Sequence, residues 1–417
     1  MNILLKSATI VDINNRKLHF KKRDILILNG IIEEISPTIK PGRNLKTLNF
    51  KNLHVSAGWF DSSVSFGEPG YEERETIRNG LKVAARSGYT DIVLNPNTYP
   101  LPDSSGAIIF LKNAAKGKPT KLHPLGTLTM QGEGNDLAEL YDMQNSGAVG
   151  FYDFKKSISN SNLLKIALQY SQDFNGLVYS FPMDEKIMSK GIVNEGISST
   201  RAGLKGIPAL AEELQIARDL FILEYTGGYL HIPTISTAKS VKIIGEAKRK
   251  GLNVSCSVAV HNLMFTDDVL DSFDSNYKVL PPLRTKNDIS ALKKGLKEGI
   301  IDYVTSDHTP IDIEEKRVEF DNAAYGTIGL ENAFGILNQL FDTETAVALL
   351  SKGRERFSLS TVPLEKGAIA NLTLFDPDSE YMYTKNDCTS TSKNSVFFGT
   401  KMKGKVYGVI ANNQIIV

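Results

Sequence analysis

Apolar and β-branched residues cluster at 3–11 and 23–35, interrupted by Asn14-Asn15 and Asn29-Gly30. Runs of this kind between turn formers predict short strands joined by hairpins. The far end of the chain repeats the pattern at 370–375, 405–410 and 414–417, around Asn412-Asn413. Between these ends the periodicity changes. Short apolar runs at 91–94, 123–128, 148–152, 176–180, 229–235, 253–258 and 301–305 alternate with amphipathic stretches at 75–87, 137–145, 162–170, 208–225, 238–250, 287–297 and 329–340. Buried strands alternating with amphipathic helices predict βα units and a parallel sheet. With a further strand at 55–65 there are about eight repeats over roughly 300 residues, the size of a (β/α)8 barrel. The pattern therefore predicts an α/β protein: a TIM-type (β/α)8 barrel over 56–362, and a small β-sandwich domain built from both termini, 1–55 plus 363–417.

Composition narrows the function without naming it. The 417 residues are 41% hydrophobic and 23% charged, ordinary values for a globular protein. A net charge of +1 gives no electrostatic reason to expect nucleic acid or a membrane surface as partner. Cys256 and Cys388 are far apart and form no metal-like pair, which fits a reducing compartment. The first residues lack a charged stretch followed by a long apolar run, so no signal peptide is expected. No apolar run approaches the ~20 residues that span a bilayer. A cytoplasmic protein is the expectation.

In a βα barrel, chemistry sits where the strands end. The residues there form an ordered series of short motifs. They are Gly58-x-x-Asp61 with Glu68-Pro69-Gly70, Asn95-Pro-Asn-Thr98, Ala148-Val-Gly-Phe-Tyr-Asp153, Gly206-Ile-Pro-Ala-Leu-Ala-Glu212 and Ile235-Ser-Thr237. Pro281-Pro-Leu-Arg284, Thr305-Ser-Asp-His-Thr-Pro310, Gly329-Leu-Glu331 and Ser392-Lys-Asn394 with Gly399 follow. Each is weak alone. Together, in this order, they resemble the dihydroorotase family of cyclic amidohydrolases along nearly the whole chain. The resemblance implies the amidohydrolase barrel and a family chemistry. One or two zinc ions lower the pKa of bound water from 15.7 to about 7 and polarise the amide carbonyl. An aspartate on the last strand carries the proton. An arginine and asparagines clamp the substrate carboxylate.

The residues standing at those positions depart from the pattern. The two first-strand histidines are Ser63 and Ser65, and the two later ones are Phe181 and Thr234. The carboxylates Asp153 and Asp307 are retained, but Phe154 replaces the aspartate that usually follows the first. In the clamp, Gly67 stands for the arginine, Leu280 for the second asparagine and Ile311 for a histidine, while Asn97 and His308 keep family substrate positions. So no metal is expected at Ser63, Ser65, Asp153, Phe181, Thr234 and Asp307. The serines and phenylalanines are read as fillers of a vacated pocket. Asp307, the family's proton shuttle, is expected to serve instead as a cap of a loop or helix N-terminus. The six histidines form no H-x-H or H-E-x-x-H pattern, and His231 and His261 are read as hydrogen-bonded structural histidines. Lys155 and Lys156 are read as loop-surface charges. Gly132-Glu-Gly134 is a turn, with no phosphate loop after it.

Three functions follow from the resemblance. The preferred one is a dihydroorotase-like pseudoenzyme of pyrimidine biosynthesis, with aspartate transcarbamoylase as its implied partner and a homodimer as its implied assembly. The second is an active dihydroorotase that converts dihydroorotate to N-carbamoyl-L-aspartate with an atypical site, which would bring zinc back. The third is a metal-free small-molecule binder using Asp153, Asn97, Asp307 and His308.

Overall fold

The computed structural model describes residues 1–42 and 45–417. Seven short parallel strands line the barrel: Trp59–Val64, Tyr89–Leu94, Lys121–Pro124, Leu177–Tyr179, Tyr229–Ile232, Val254–Ala259 and Tyr303–Thr305. The stretch expected as a strand at 148–152 is not one. Phe151 alone takes the eighth place in the ring, bridging Gly126 on one side and Val178 on the other. The ring closes where Val64 pairs with His308. Helices Ile77–Arg86, Ser161–Ser171, Ala209–Thr226, Ala238–Arg249 and Lys286–Lys297 lie close to their predicted limits. Side-chain caps explain several starts: Thr76 accepts from Asn79 N, Thr237 from Ser240 N, and Thr285 with Asp288 forms a reciprocal capping box.

Among the described residues the periodicity missed two longer helices, Ser105–Ala114 and Thr343–Ser351, and the short helices Glu185–Met188, Ile197–Ala202 and Ile313–Lys316. In the first, Ile108, Ile109, Phe110 and Leu111 form one apolar run, yet only Ile108 and Leu111 are buried. A run with no polar spacing carries no helical period. The strand expected at 55–65 is two strands with different neighbours. His54–Ala57 belongs to the small β domain and Trp59–Val64 to the barrel. Gly58 lies at the junction, where an added Cβ would come 2.1 Å from the Asn371 side chain and 2.2 Å from that of Thr90. Only a residue without a side chain lets the chain pass between the two sheets here.

The small domain is one sheet in the order Gln414–Ile416, Lys401–Ala411, Leu372–Met382, His54–Ala57, Ile3–Ile10, Lys22–Leu28 and Ile31–Ser36, with Lys46–Leu48 also paired to Ile3–Ile10. Its two halves join where His54–Ala57 runs antiparallel to Leu372–Met382. Ile3, Ile25, Val55, Leu372 and Leu374 give it a core of its own. Among the described residues, no helix is long and apolar enough to cross a membrane.

Candidate functional site at the barrel mouth

The first and last strands are tied together by Asp61. Its carboxylate accepts from Ser63 N at 3.0 Å, from Ser306 N at 2.9 Å and from the Thr305 hydroxyl. Burial raises its pKa above the ordinary carboxylate value, and these hydrogen bonds pull it part of the way back. Further along the strand, Ser63 Oγ donates to Asp307 Oδ1 at 3.2 Å and accepts from Asn95 Nδ2 at 3.1 Å. The same Asn95 amide donates to Ser65 Oγ at 3.1 Å. Asn95 had no assigned role in the sequence; the Asn95-Pro-Asn-Thr98 motif drew attention to Asn97 instead. The two serines are thus partners of one amide, as well as small fillers.

Asp307 does not cap a loop or helix. Its Oδ2 accepts from Lys155 Nζ at 2.9 Å, and the pair is deeply buried, with side-chain exposures of 11% for Lys155 and 2% for Asp307. Lys155 is therefore no surface charge; its ammonium reaches inward over the Phe154 ring, 5.4 Å from the centroid. Lys156 is exposed and donates to Gly132 O at 3.0 Å. Burial raises the Asp307 pKa, opposed by the Lys155 ammonium and the Ser63 hydroxyl. Lys155 and Asp307 both have left-handed backbones, with φ of 54° and 47°, and so does Thr234 at 48°. Such non-glycine strain gathers at functional sites.

The other retained carboxylate is occupied elsewhere. Asp153 accepts from Leu128 N at 2.9 Å, Thr129 N at 3.1 Å and Thr129 Oγ1 at 2.6 Å. Phe181 is buried in one apolar cluster with Tyr152, Tyr179 and Leu280, and Phe154 packs against that cluster. Thr234 N donates to Ser257 Oγ at 3.2 Å. His308 is fully buried; its Nδ1 accepts from Gly329 N at 3.3 Å, its Nε2 has no partner among the described residues, and burial pushes its pKa down to about 3. Asn97 Oδ1 is also buried without a partner among the described residues. His231 is structural as expected, against Ser255 Oγ at 2.9 Å and stacked on Tyr303. His261 differs from expectation: neither ring nitrogen has a hydrogen-bond partner among the described residues, and burial lowers its pKa to about 3.

These residues do not fit zinc. Zinc in such sites takes imidazole and carboxylate ligands. The imidazole positions hold two serine hydroxyls, a phenyl ring and a threonine, Asp307 faces an ammonium, and Asp153 is filled by amide and hydroxyl donors. Among the described residues, no three His, Cys, Asp or Glu side chains come together in a way that could hold a metal ion. The arginine of the clamp is blocked as well. Gly67 has φ of +122°, and a Cβ there would lie 2.6 Å from the Tyr71 carbonyl oxygen. Gly67→Arg is expected to cost about 2 kcal/mol or more from backbone strain, read as a lower midpoint in urea unfolding. A neutral result would mean that the loop rearranges easily.

Several motifs turn out to be scaffold. Glu212 is fully buried and accepts from Ser236 N at 2.8 Å, Thr237 N at 3.0 Å and Ser240 Oγ at 2.7 Å, with Arg284 Nη2 at 3.9 Å. Three sequence motifs thus meet in one network. Asn394 accepts from Ile311 N at 3.1 Å and donates to Thr309 O at 3.0 Å, fixing the loop after the last strand. At the opposite end of the barrel, Arg354 reaches Asp91 at 3.1 Å and the Gly58 carbonyl at 2.7 Å. Burial alone would raise the Asp91 pKa, but His123 and Arg354 outweigh it and bring it to about 2. No sequence motif marked Asp91 or Arg354.

Comparison with known proteins supplies the lineage. Residues 54–240 match the family model described as Dihydro-orotase-like. The chain is 35% identical over 424 residues to a protein named Dihydroorotase from Pelotomaculum thermopropionicum, covering 100% of this chain and 99% of the relative. A protein of the same name from Trichlorobacter lovleyi is 33% identical over 423 residues, with the same coverage. Among solved structures, the L-hydantoinase (dihydropyrimidinase) of Arthrobacter aurescens superposes with a TM-score of 0.82 at 21% identity, covering 100% of this chain and 97% of that one. The dihydropyrimidinase of Brevibacillus agri gives 0.80 at 19%, covering 100% and 95%. At that identity the structures speak for the fold alone: a TIM-type barrel with a β domain. End-to-end identity above 30% speaks for more, and places this chain in the dihydroorotase family.

Proposed function

We propose that this chain is a dihydroorotase-family protein of pyrimidine biosynthesis whose barrel has exchanged its zinc centre for a buried ammonium–carboxylate pair and no longer hydrolyses a cyclic amide. The observation that carries the reading is Lys155 Nζ at 2.9 Å from Asp307 Oδ2. Hydrolysis near neutral pH requires an activated water, and zinc supplies one by lowering its pKa to about 7. Asp307 in this chain balances a lysine, and Phe181 brings apolar bulk where the family has an imidazole. Within this reading the barrel acts as a scaffold, with an aspartate transcarbamoylase as the partner to test by co-purification.

A second reading has support of its own. The full-length relatives are named Dihydroorotase, and that favours an active enzyme converting dihydroorotate to N-carbamoyl-L-aspartate through an atypical site. As far as the comparisons go, they support this reading better than the first. Metal analysis and turnover in both directions, on protein produced with zinc in the medium, separate the two. The scaffold reading expects no bound zinc and no turnover above the uncatalysed rate. About one or two zinc ions per chain together with turnover would overturn it and establish the second.

A further inference from the structure

Two lysines lie inside the protein without a carboxylate to balance them. Lys278 is 3% exposed and Lys316 is 2% exposed. Lys278 Nζ donates to the carbonyl oxygens of Phe320 at 2.9 Å and Asp321 at 2.8 Å. Lys316 Nζ donates to Lys278 O at 3.1 Å and Ala324 O at 2.9 Å. Neither lysine takes part in an ion pair among the described residues. The carbonyls occupy two of the three N–H donors of each ammonium and bring no charge. A charge buried this deeply is costly unless an opposite charge meets it.

Lys316 borders a cavity of about 630 Å³, where the turn at 274–276, the short helix Ile313–Lys316 and the segment 391–394 meet. Ser63, Lys155 and Asp307 do not line it, so it is separate from the site at the barrel mouth. Its other cations are Arg317, Lys385 and Lys393, all exposed at the rim. Its carboxylates are Glu73, Asp274 and Asp312. Two of these begin turns: Asp274 accepts from Asn276 N at 2.9 Å and Asp312 from Glu314 N at 2.8 Å. We propose that this cavity binds a small dianion, the phosphate group or the two carboxylates of a polar metabolite, with Lys316 as its buried counter-charge.

A dianion supplies what the fold leaves out. It offers an acceptor for the third N–H of Lys316, and the Arg317 guanidinium has the planar fork that grips phosphate or carboxylate. The volume is that of a small-molecule site. Burial and the charge of Lys278 pull the Lys316 pKa down to about 7; Asp274 opposes the fall and Lys155 adds to it. A bound dianion favours the ammonium form. Binding therefore takes up a proton wherever Lys316 is neutral, and affinity falls as pH rises through about 7.

Titration calorimetry of the full chain with sulfate and, separately, with succinate tests the proposal. Both are expected to bind at millimolar concentrations at about pH 6. Tighter sulfate identifies a phosphate group as the ligand chemistry, and tighter succinate a dicarboxylate. Sulfate does not titrate near neutrality, so its affinity is expected to fall at least ~5-fold between about pH 6 and about pH 8, with proton uptake read from the buffer dependence of the heat. Lys316→Met is expected to weaken sulfate at least ~10-fold and to remove that pH dependence. Asp274→Asn keeps the turn cap and removes a competing carboxylate, so it is expected to tighten sulfate about 3-fold. No binding of either anion at millimolar concentrations would overturn the proposal. So would equal affinity in the wild type and a folded Lys316→Met chain, which would leave the exposed rim cations as the whole cause. Should Lys316→Met fail to fold, a sulfate affinity that is flat with pH and unmoved by Asp274→Asn would overturn it instead.

Discussion

Lys155→Met is expected to cost about 3–5 kcal/mol of folding stability at neutral pH, the scale for removing one partner of a buried ion pair. The substitution leaves the Asp307 carboxylate buried with only the Ser63 hydroxyl as partner. The pH dependence follows from the direction of the Asp307 shift. Burial raises its folded pKa above the unfolded value, and Lys155 opposes that rise. A carboxyl with a raised folded pKa binds more protons folded than unfolded. Its favourable contribution is present at low pH and is lost as pH rises through the folded pKa. Without Lys155 that pKa rises further, so the deficit is largest at neutral and alkaline pH and shrinks as the pH falls. Urea unfolding of both proteins at two pH values measures this. Lys155→Met combined with Asp307→Asn is expected to recover most of the loss. A small loss with no pH dependence would mean that the pair is solvated in solution.

Glu212→Ala is expected to cost a comparable amount, about 4 kcal/mol, with no role in chemistry required. The carboxylate satisfies two backbone amides and the hydroxyls of Ser236 and Ser240, and is the carboxylate nearest the fully buried Arg284 guanidinium. Arg284 would keep only neutral partners: the Asn194 side chain at 2.8 Å, the Ile207 carbonyl at 2.9 Å and Ser236 Oγ at 3.1 Å. Glu212→Gln keeps the shape and some hydrogen bonds, so its loss should fall between wild type and Ala. Calorimetric unfolding of the three proteins reads the order. If Ala and Gln behave alike and lose under about 1 kcal/mol, the network is not what joins these three segments.

The barrel was legible because its signal is local and repeated. Helix periods at 208–225, 238–250 and 287–297 needed nothing beyond their own sequence. Reading failed where the local signal was absent or pointed elsewhere. Residues 148–152 are apolar like a strand, but the ring accommodates only Phe151 there. Gly58 divides what looked like one strand, and the reason lies in Asn371 and Thr90, far along the chain. At the mouth, the missing imidazoles are visible residue by residue, but nothing local to Asn95 or Lys155 shows that they face Ser63, Ser65 and Asp307.

By itself the sequence determined which chemical groups the barrel mouth can contain, because residue identity at aligned motif positions is a matter of composition and order: hydroxyls at 63 and 65, a phenyl ring at 181, carboxylates at 153 and 307. Only the tertiary structure decided which of these groups face one another. Lys155 and Asp307 are 152 residues apart, and Ser63 and Asp307 are 244 apart. Their contacts exist because the ring closes between Val64 and His308 and carries the ends of distant strands to one place. Burial in that closed ring sets the partners each charge must find, since an unpaired charge there costs far more than one in water. The same carboxylate that a zinc site would use is therefore, in this fold, the counter-ion of a lysine.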